Sequence, residues 1–208
     1  IEILNNNIKK QNNLWEDGKL TAGKHAAKEK NNLQLRRDSE LSIKFSGLIT
    51  KKILSNELIK SFALPKKIHG TIFSKSTSGM KYGRHIDNAY MSSGRADLSF
   101  TVFLNCKKKY EGGALLIESL NSEEKFKLDA GEIIIYPSTY LHSVEKVIDG
   151  ERLVFIGWIE SYVKSIEERE YLFDLDAAAR SLLAKYGRSD EVDLIYKSYS
   201  NFLRRLGN

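Results

Sequence analysis

A histidine and an aspartate, His85 and Asp87, stand two residues apart in the stretch KYGRHIDNAY, at positions 81–90. The stretch reads as a β-strand, and alternate residues of a strand point to the same face of a sheet. We therefore expect the imidazole and the carboxylate to face one side together, where both are able to bind a metal ion. The pair is a weak signal by itself, because the chain has four histidines and His-x-Asp arises readily by chance.

His142 is the candidate for a third ligand. It follows the apolar segment GEIIIYPSTYL and begins the next predicted strand. Two histidines and one carboxylate on one face of a metal ion leave its other positions open, which is the arrangement of non-heme iron(II) oxygenases. The sequence therefore predicts a metal site made of His85, Asp87 and His142, with a surface position in a turn as the alternative for His142.

Arg152 opens the segment RLVFIGWIES, ten residues after His142. Counting by two, it shares a strand face with apolar residues as far as Trp158. A guanidinium at the head of an apolar face is costly unless an anion neutralises it, and its planar shape holds a carboxylate through two hydrogen bonds. Either Arg152 binds an anionic ligand, or it reaches solvent or pairs with the neighbouring Asp149 or Glu151.

The residues between the helical ends of the chain, 66–162, have the period of two that is typical of strands. The eight predicted strands are KIHGTIF, GRHIDNAY, DLSFTVFLN, GALLIES, EKFKL, GEIIIYP, HSVEKV and RLVFIGWIES. Turn signals separate them, and Asp149-Gly150 is expected to divide the last two. Short strands at near-regular spacing favour a double-sheet jelly roll or a barrel.

Helical patterns flank this region on both sides. Region 1–65 is predicted to be mostly helical, and its main apolar stripe stops before Pro65. Region 163–208 is predicted to be a helical pair, in which Gly187 suits the end of the first helix and Ser189 the start of the second. These two helices can close one face of the sheet or pair with a second copy of the chain.

Composition limits the classes of protein that need to be considered. The 208 residues are 41% hydrophobic and 29% charged, as in a soluble globular protein, and Cys106 is the only cysteine, which excludes an internal disulfide and suits the cytoplasm. No apolar run approaches the roughly 20 residues that span a bilayer, so no membrane partner is expected. The start, IEILNNNIKKQNN, is too polar for a signal peptide, and because it begins with Ile1 we expect the natural N-terminus upstream. The net charge of +6 suggests nucleic acid as a partner. The lysines are spread along the chain, however, and this distribution does not favour nucleic-acid binding.

The order His85-x-Asp87, His142 and Arg152 in a β-rich core resembles the iron(II)/2-oxoglutarate-dependent dioxygenases, and in particular the PKHD-type hydroxylases, which are related to prolyl and lysyl hydroxylases. The segments that resemble this family are WEDGKLTAG, KNNLQL, YGRHIDNAY, RADLSFTVFLN, YEGGALLIES, KLDAGEIIIYPSTYLHSVEKVIDGERLVFIGWIES and LFDLDAAARSLLAKYG. The resemblance implies an α+β fold with a double-stranded β-helix (jelly roll) core, N-terminal helices packed on it and a C-terminal helical pair. It also implies that His85, Asp87 and His142 bind Fe(2+) and that Arg152 anchors 2-oxoglutarate.

One departure from the family pattern concerns a tyrosine. The chain has FSKS where similar proteins often have FNRY, so Ser76 stands at the position of the tyrosine hydroxyl. Either Tyr82 or Ser99 replaces that hydroxyl, or the affinity for the co-substrate is lower. The two remaining histidines, His25 and His69, have no partner at ligand spacing and are predicted to be ordinary polar residues.

The activity implied by the resemblance is hydroxylation of a C–H bond, coupled to the oxidative decarboxylation of 2-oxoglutarate with O2, and supported by L-ascorbate. The expected substrate is a prolyl or other side chain of a protein or peptide, and a small molecule linked to iron metabolism is the alternative. A nucleic-acid demethylase fits less well, because those enzymes carry Asn-x-Thr-x-Arg after the anchoring arginine, where this chain has LVFIGW. A non-catalytic jelly-roll module would require a lost ligand, and none is lost. The C-terminal helices are candidates for a homodimer interface, and the sequence leaves the oligomeric state open.

Overall fold

The computed structural model describes residues 4, 6–7, 12–21, 26–119 and 121–208. It divides the chain into two compact units. The first unit comprises Ile1–Thr50 and Ile68–Ile159, and the second comprises Lys51–Lys67 and Glu160–Asn208. Among the described helices, none combines the length and the apolar character that crossing a membrane requires.

Strands make up most of the first unit. The described residues form β1 Trp15–Asp17, β2 Lys30–Asn31, β3 Leu33–Leu35, β4 Pro65–Thr77, β5 Lys81–His85, β6 Tyr90–Met91, β7 Gly94–Arg95, β8 Leu98–Phe103, β9 Tyr110–Gly112, β10 Leu115–Glu118, β11 Glu123–Phe126, β12 Ile133–Pro137, β13 Leu141–Val144 and β14 Val147–Ser161. The α-helices are α1 Ala26–Glu29, α2 Glu40–Leu54, α3 Glu57–Ala63, α4 Ile166–Tyr186 and α5 Asp190–Leu206. Single 3-10 turns occupy Asn12–Leu14, Gly18–Thr21 and Lys107–Lys109.

The strands form two main antiparallel sheets. The larger sheet has the order β1-β3-β4-β14-β8-β12, with β9 also paired to β14. The smaller sheet has the order β11-β10-β13-β5-β2, and β6 and β7 form a separate hairpin. Neighbours in each sheet are often distant in sequence, as in a double-sheet jelly roll. The α+β architecture predicted from the sequence is therefore confirmed.

Three short strands, β1 to β3, interrupt the region predicted to be mostly helical. Strand β2 pairs with β5, where Lys30 lies opposite Tyr82, and β3 pairs with β4, where Leu33 lies opposite Lys75. A local sequence pattern does not reveal partners this far apart along the chain. Strand pairing also outweighs the weak secondary-structure preference of so short a segment. The sequence pattern did not predict these strands, whereas the apolar stripe before Pro65 corresponds to α2 and α3.

Strand β14 continues through the position where the sequence predicts a turn. Asp149 and Gly150 both lie within it and pair with β9, and the register shifts between Val147 and Asp149. Gly150 accommodates this irregularity with φ of +80°, a conformation that suits glycine. The predicted break between the last two strands was therefore wrong, and one long strand carries Arg152 and Trp158 in fixed register.

Large aromatic side chains fill the core of the first unit. Phe155 of β14 packs against Phe73 of β4, with ring centroids 4.7 Å apart, and against Phe100 of β8, at 5.9 Å. All six residues of β8 are buried, which explains why its sequence, LSFTVF, does not alternate cleanly. This core fixes the strands on which the candidate site is built.

The second unit is mainly helical and has an apolar cluster of its own. Leu64, Val163 and Leu172 are buried together, and Tyr199, Leu203 and Leu206 of α5 pack against them. The predicted helix limits are confirmed by the backbone. Gly187 follows α4 with φ of +77°, and the Ser189 hydroxyl accepts a hydrogen bond from the amide of Val192 at the start of α5.

Candidate active site

The three predicted ligands come together in the first unit. His85 ends β5 and lies directly opposite His142 of β13 in the strand register. One ligand atom from each of His85, Asp87 and His142 lies within 4.8 Å of the other two. His142 Nε2 is 3.8 Å from Asp87 Oδ2, and the two imidazole centroids are 4.2 Å apart. These separations suit three ligands on one face of a single metal ion.

Asp87 reaches this cluster differently from the way its sequence suggests. Strand β5 stops at His85, so the prediction of a continuous strand through Asp87 was wrong. Instead, Asp87 Oδ2 accepts hydrogen bonds from Ser99 Oγ at 2.6 Å and from Trp158 Nε1 at 2.8 Å. Ser99 of β8 and Trp158 of β14 are paired in the larger sheet. Two donors from the other sheet therefore orient the carboxylate, as is typical around metal ligands.

Both histidines are held in the form that binds a metal. His85 Nδ1 lies 2.8 Å from the carbonyl oxygen of Gly83, and His142 Nδ1 lies 3.1 Å from that of Tyr140. Because a carbonyl only accepts, each Nδ1 carries the proton and each Nε2 keeps its lone pair. Burial, followed by the repulsion that two protonated imidazoles would exert on each other, lowers the pKa of His85 to about 4, so its imidazole is neutral at pH 7.

Arg152 is buried, with 3% of its surface exposed, and its charge has no carboxylate partner among the described residues. Its Nε atom is buried without a hydrogen bond. The guanidinium lies 5.6 Å from the ring centre of Phe103, and burial lowers its pKa, which the nearby Tyr110 and Tyr136 raise in part. Arg152 therefore neither reaches solvent nor pairs with Asp149 or Glu151. A buried guanidinium without a carboxylate partner suits an anionic ligand.

One cavity of about 840 Å³ contains both features. Its wall includes the three candidate ligands and Arg152, together with apolar residues such as Ile156. The donor set of two imidazoles and a carboxylate fits iron(II), and the orphaned nitrogen of Arg152 fits a carboxylate of 2-oxoglutarate. The residues present therefore fit both groups.

Other residues singled out in the sequence occupy supporting or unrelated positions. His69 uses both ring nitrogens, with Nδ1 2.9 Å from Ser93 Oγ and Nε2 2.8 Å from the carbonyl of Arg95, as expected for an ordinary polar residue. His25 lies outside the described residues. Ser76, at the position of the family tyrosine, is buried and lines the cavity.

Sequence reasoning missed three residues of this cavity or assigned them differently. Ser99 was a candidate to replace the missing tyrosine hydroxyl, but its hydroxyl contacts Asp87 and lies 2.7 Å from that of Ser138. For Trp158, the sequence indicated a place near the site through the strand face that it shares with Arg152. Lys30 had no local signal, because it lies on a two-residue strand that only the pairing with β5 defines.

Comparison with known families and curated proteins places this chain among close relatives. Residues 71–160 match the model of the 2OG-Fe(II) oxygenase superfamily. A PKHD-type hydroxylase of Prochlorococcus marinus strain MIT 9215 is 75% identical over 207 residues, which cover 100% of this chain and 94% of the relative. A PKHD-type hydroxylase of strain AS9601 is 70% identical over 208 residues, with the same coverage of both chains.

Solved structures extend the similarity to the fold. A prolyl-4-hydroxylase of Pseudomonas putida superposes with a TM-score of 0.55 and 17% identity, over 76% of this chain and 84% of that one. A prolyl hydroxylase from Trichoplax adhaerens, in complex with a peptide fragment of hypoxia inducible factor, superposes with a TM-score of 0.54 and 16% identity, over 83% and 79%. At this identity the superpositions establish a shared fold.

Proposed function

Because the chain belongs to the PKHD-type hydroxylases, a group of 2-oxoglutarate-dependent iron(II) dioxygenases, we propose that it hydroxylates a prolyl or other side chain of a protein or peptide. In this proposal His85, Asp87 and His142 hold the iron, and Arg152 binds the distal carboxylate of 2-oxoglutarate. One observation carries the assignment of the residues. Three metal-binding side chains and a buried, unpaired guanidinium share one cavity.

The protein supplies orientation and an apolar enclosure for this chemistry. Bound iron(II) and 2-oxoglutarate supply the O2-dependent oxidation of a C–H bond, with succinate and CO2 as by-products. Arg152 fixes the co-substrate by its far end, and the carbonyl-bound histidines keep Nε2 deprotonated for the metal. Val154 and Ile156 exclude water from the cavity wall next to Arg152.

A polypeptide substrate is supported by the fold and by the mouth of the cavity. The solved structures with this fold include two prolyl hydroxylases, one of them in complex with a peptide fragment. Ile86 and Tyr90 line the cavity and are largely exposed, so they offer an apolar rim to an incoming chain.

We include L-ascorbate as the reductant and the cytoplasm as the compartment in this proposal, the latter because Cys106 is a free thiol.

The metal and co-substrate assignment is tested by spectroscopy without a substrate. Anaerobic addition of Fe(II) and 2-oxoglutarate is expected to give the weak visible charge-transfer band of an iron-bound 2-oxo acid. Folded, metal-loaded protein that lacks the band would contradict the proposal.

Arg152→Ala separates the anchor from the metal site. This variant is expected to weaken 2-oxoglutarate binding at least tenfold while Mn(II) affinity stays within twofold of the parent, because Arg152 faces the co-substrate. Arg188→Ala, which removes an exposed arginine of the second unit, is the matched control and should change neither. An equal loss of both affinities in Arg152→Ala would make the residue structural.

The substrate itself is sought by screening for stimulated succinate release. Peptides that contain proline or lysine are compared with pools of small metabolites, including iron chelators, at saturating 2-oxoglutarate. Stimulation by peptides supports the proposal, whereas stimulation by small molecules alone assigns the same chemistry to a metabolite.

A further inference from the structure

Lys30 is a second buried cation in the wall of the cavity. Only 4% of its surface is exposed, and it lies on β2 opposite Tyr82 of β5. The Tyr82 ring stacks on the His85 ring with centroids 3.7 Å apart, so Lys30 belongs to the wall that leads to the candidate ligands. A buried ammonium is among the most costly groups a protein can retain, and it needs a compensating partner.

The contacts of Lys30 do not neutralise its charge. Its Nζ donates a hydrogen bond to Thr21 Oγ1 at 3.2 Å and lies 5.1 Å from the centre of the Tyr82 ring. Both contacts suit a cation, but neither partner carries a negative charge. In the part of the chain that the structure describes, no carboxylate forms an ion pair with Lys30.

Arg37 adds a further positive charge to the same wall. Its Nη2 donates to the carbonyl oxygen of Gly70 at 3.3 Å, and within the described ranges it has no ion pair either. Arg37 and Lys30 repel each other, since the charge of Arg37 contributes to lowering the pKa of Lys30. Arg37 is exposed, so water solvates part of its charge, whereas the charge of the buried Lys30 is left without a compensating anion.

The charges of a bound metal ion and of 2-oxoglutarate do not neutralise those of Lys30 and Arg37. Asp87 is the single acidic side chain among the described residues that line the cavity. A metal dication bound to Asp87 retains one positive charge, which together with Arg152 balances the two carboxylates of 2-oxoglutarate. Arg84, at the rim, is matched by Glu118, with Nη2 2.6 Å from Oε2. Outside the cavity wall, Asp17 attracts Lys30 and Glu16 attracts Arg37, but neither forms an ion pair with them among the described residues. The positive charges of Lys30 and Arg37 therefore remain available for the substrate.

We propose that Lys30 and Arg37 bind a carboxylate of the substrate, so that the enzyme selects an acidic substrate over its neutral analogue. The inference rests on the proposed function, because it assigns a substrate class to that same site. A carboxylate reaches this wall either as an acidic side chain of a peptide or as a free carboxylic acid. The chemistry that recognises both is the same, and the experiment separates the two sources.

The first test measures anion binding without turnover. Inorganic sulfate is titrated by calorimetry, at constant ionic strength, into the full chain loaded with Mn(II) and saturating 2-oxoglutarate, which occupies Arg152. Saturable binding is expected, weakened at least tenfold in Lys30→Met and restored by Lys30→Arg. Lys108→Met removes an exposed lysine and should leave the affinity unchanged. Because Lys30 is buried, Arg37→Met is the second variant, and it is expected to weaken sulfate binding as well.

The second test measures substrate preference. Proline-containing peptide pools with Asp or Glu beside the proline are compared with pools carrying Asn or Gln, and carboxylic acids are compared with their primary amides. The acidic member of at least one pair is expected to release at least tenfold more succinate, and Lys30→Met should abolish the difference. The pair that responds identifies the source of the carboxylate.

The outcomes distinguish this inference from the proposed function. Absence of saturable sulfate binding, equal affinity in the parent and Lys30→Met, or equal responses to acidic and neutral pools each overturn the inference. The charge-transfer band of the parent protein tests the proposed function alone. A protein with the band and without anion selectivity retains its proposed function and loses only the acidic substrate.

Discussion

At the scale of single residues, the carboxylate of Asp87 depends on its two donors. Both Ser99 Oγ and Trp158 Nε1 bind the same oxygen, Oδ2, and both come from the sheet that does not carry the histidines. Hydrogen bonds of this kind fix the direction of a metal ligand and are commonly worth about 10- to 100-fold in metal affinity. Ser138 supports Ser99 in turn, with the two hydroxyls 2.7 Å apart.

Trp158→Phe removes one donor and keeps most of the ring. We expect it to lower the Mn(II) or Fe(II) affinity by about tenfold, because Asp87 loses half of its orienting hydrogen bonds. Trp15→Phe is the matched control, since the buried Trp15 Nε1 has no hydrogen-bond partner within the described residues. Metal titration of both variants decides the question. An undiminished affinity in Trp158→Phe, or an equal loss in Trp15→Phe, would refute the role of this contact.

Lys30 makes stability depend on pH. Burial, followed by the charge of Arg37, lowers its pKa from 10.5 to about 8, although Asp87 and Asp17 act in the opposite direction. Because the folded pKa is below the unfolded value, folding disfavours the protonated form. The cost is fully present below pH 8, declines as the pH rises through about 8, and disappears above 10.5.

Lys30→Met is therefore expected to stabilise the protein at neutral pH. The free energy of unfolding in urea should rise by about 1–3 kcal/mol at pH 7, and the gain should shrink as the pH approaches 10. Lys108→Met should show no such trend, since Lys108 is exposed. A gain that is independent of pH, or a loss at pH 7, would contradict the assigned charge state.

At the scale of elements, a glycine of strand β4 lies against the Trp158 ring of β14. Gly70 has φ of +64°, and a Cβ built there would lie 2.7 Å from Cε3 of the Trp158 ring. The absence of a side chain thus allows β4 to support the indole that donates to Asp87. Only glycine meets both the backbone and the packing requirement at this position.

Gly70→Ala is expected to affect both stability and the metal site. The backbone strain costs about 1 kcal/mol, and displacement of the Trp158 ring adds to it and lowers metal affinity several-fold. Gly79→Ala separates the two effects, because Gly79 has φ of +84° with no atom within 4 Å of the added Cβ. Thermal unfolding and Mn(II) titration should show strain in both variants and weakened metal binding only in Gly70→Ala. Equal metal affinities would show that the indole does not move.

The strands of the jelly roll were largely predictable from local pattern, and their partners were not. Short runs of apolar and β-branched residues between turn signals predicted β4, β8, β10, β12 and β14, whereas β1 to β3 are too short to show a period and form through pairing. The identity of His85, Asp87, His142 and Arg152 came from residue type and order. The hydrogen bonds to Asp87 and the location of Lys30 depend on contacts between sheets, which sequence spacing does not encode.

At the scale of the whole molecule, the chain has two compact units with different tasks. Every residue assigned to the metal, the co-substrate or the substrate belongs to the first unit. The second unit has the apolar cluster around Leu172, and it also exposes large apolar side chains on α4 and α5, among them Tyr186 and Leu194. The predicted homodimer through these helices stays a prediction, which light scattering of the purified chain would test.

Leu172→Ala tests the cluster of the second unit. Removal of a fully buried leucine is expected to lower the free energy of unfolding by about 2–5 kcal/mol, through lost burial and the cavity left behind. Leu194→Ala, on the exposed face of α5, should change it by less than about 0.5 kcal/mol. Urea unfolding measures both. Similar values for the two variants would mean that the cluster does not stabilise the helices.

The carbonyl acceptors of the two histidines also bear on how the site withstands mutation over generations. Gly83 and Tyr140 contribute main-chain oxygens, which every amino acid possesses, so no substitution at either position deletes an acceptor. The tautomers of His85 and His142 are thereby set by the main chain and not by the side chains of the cavity wall. Substitutions in that wall are expected to leave the metal-binding form of both imidazoles unchanged, whereas a side chain at Gly83 would displace the acceptor, because its Cβ would lie 2.7 Å from that of Glu29.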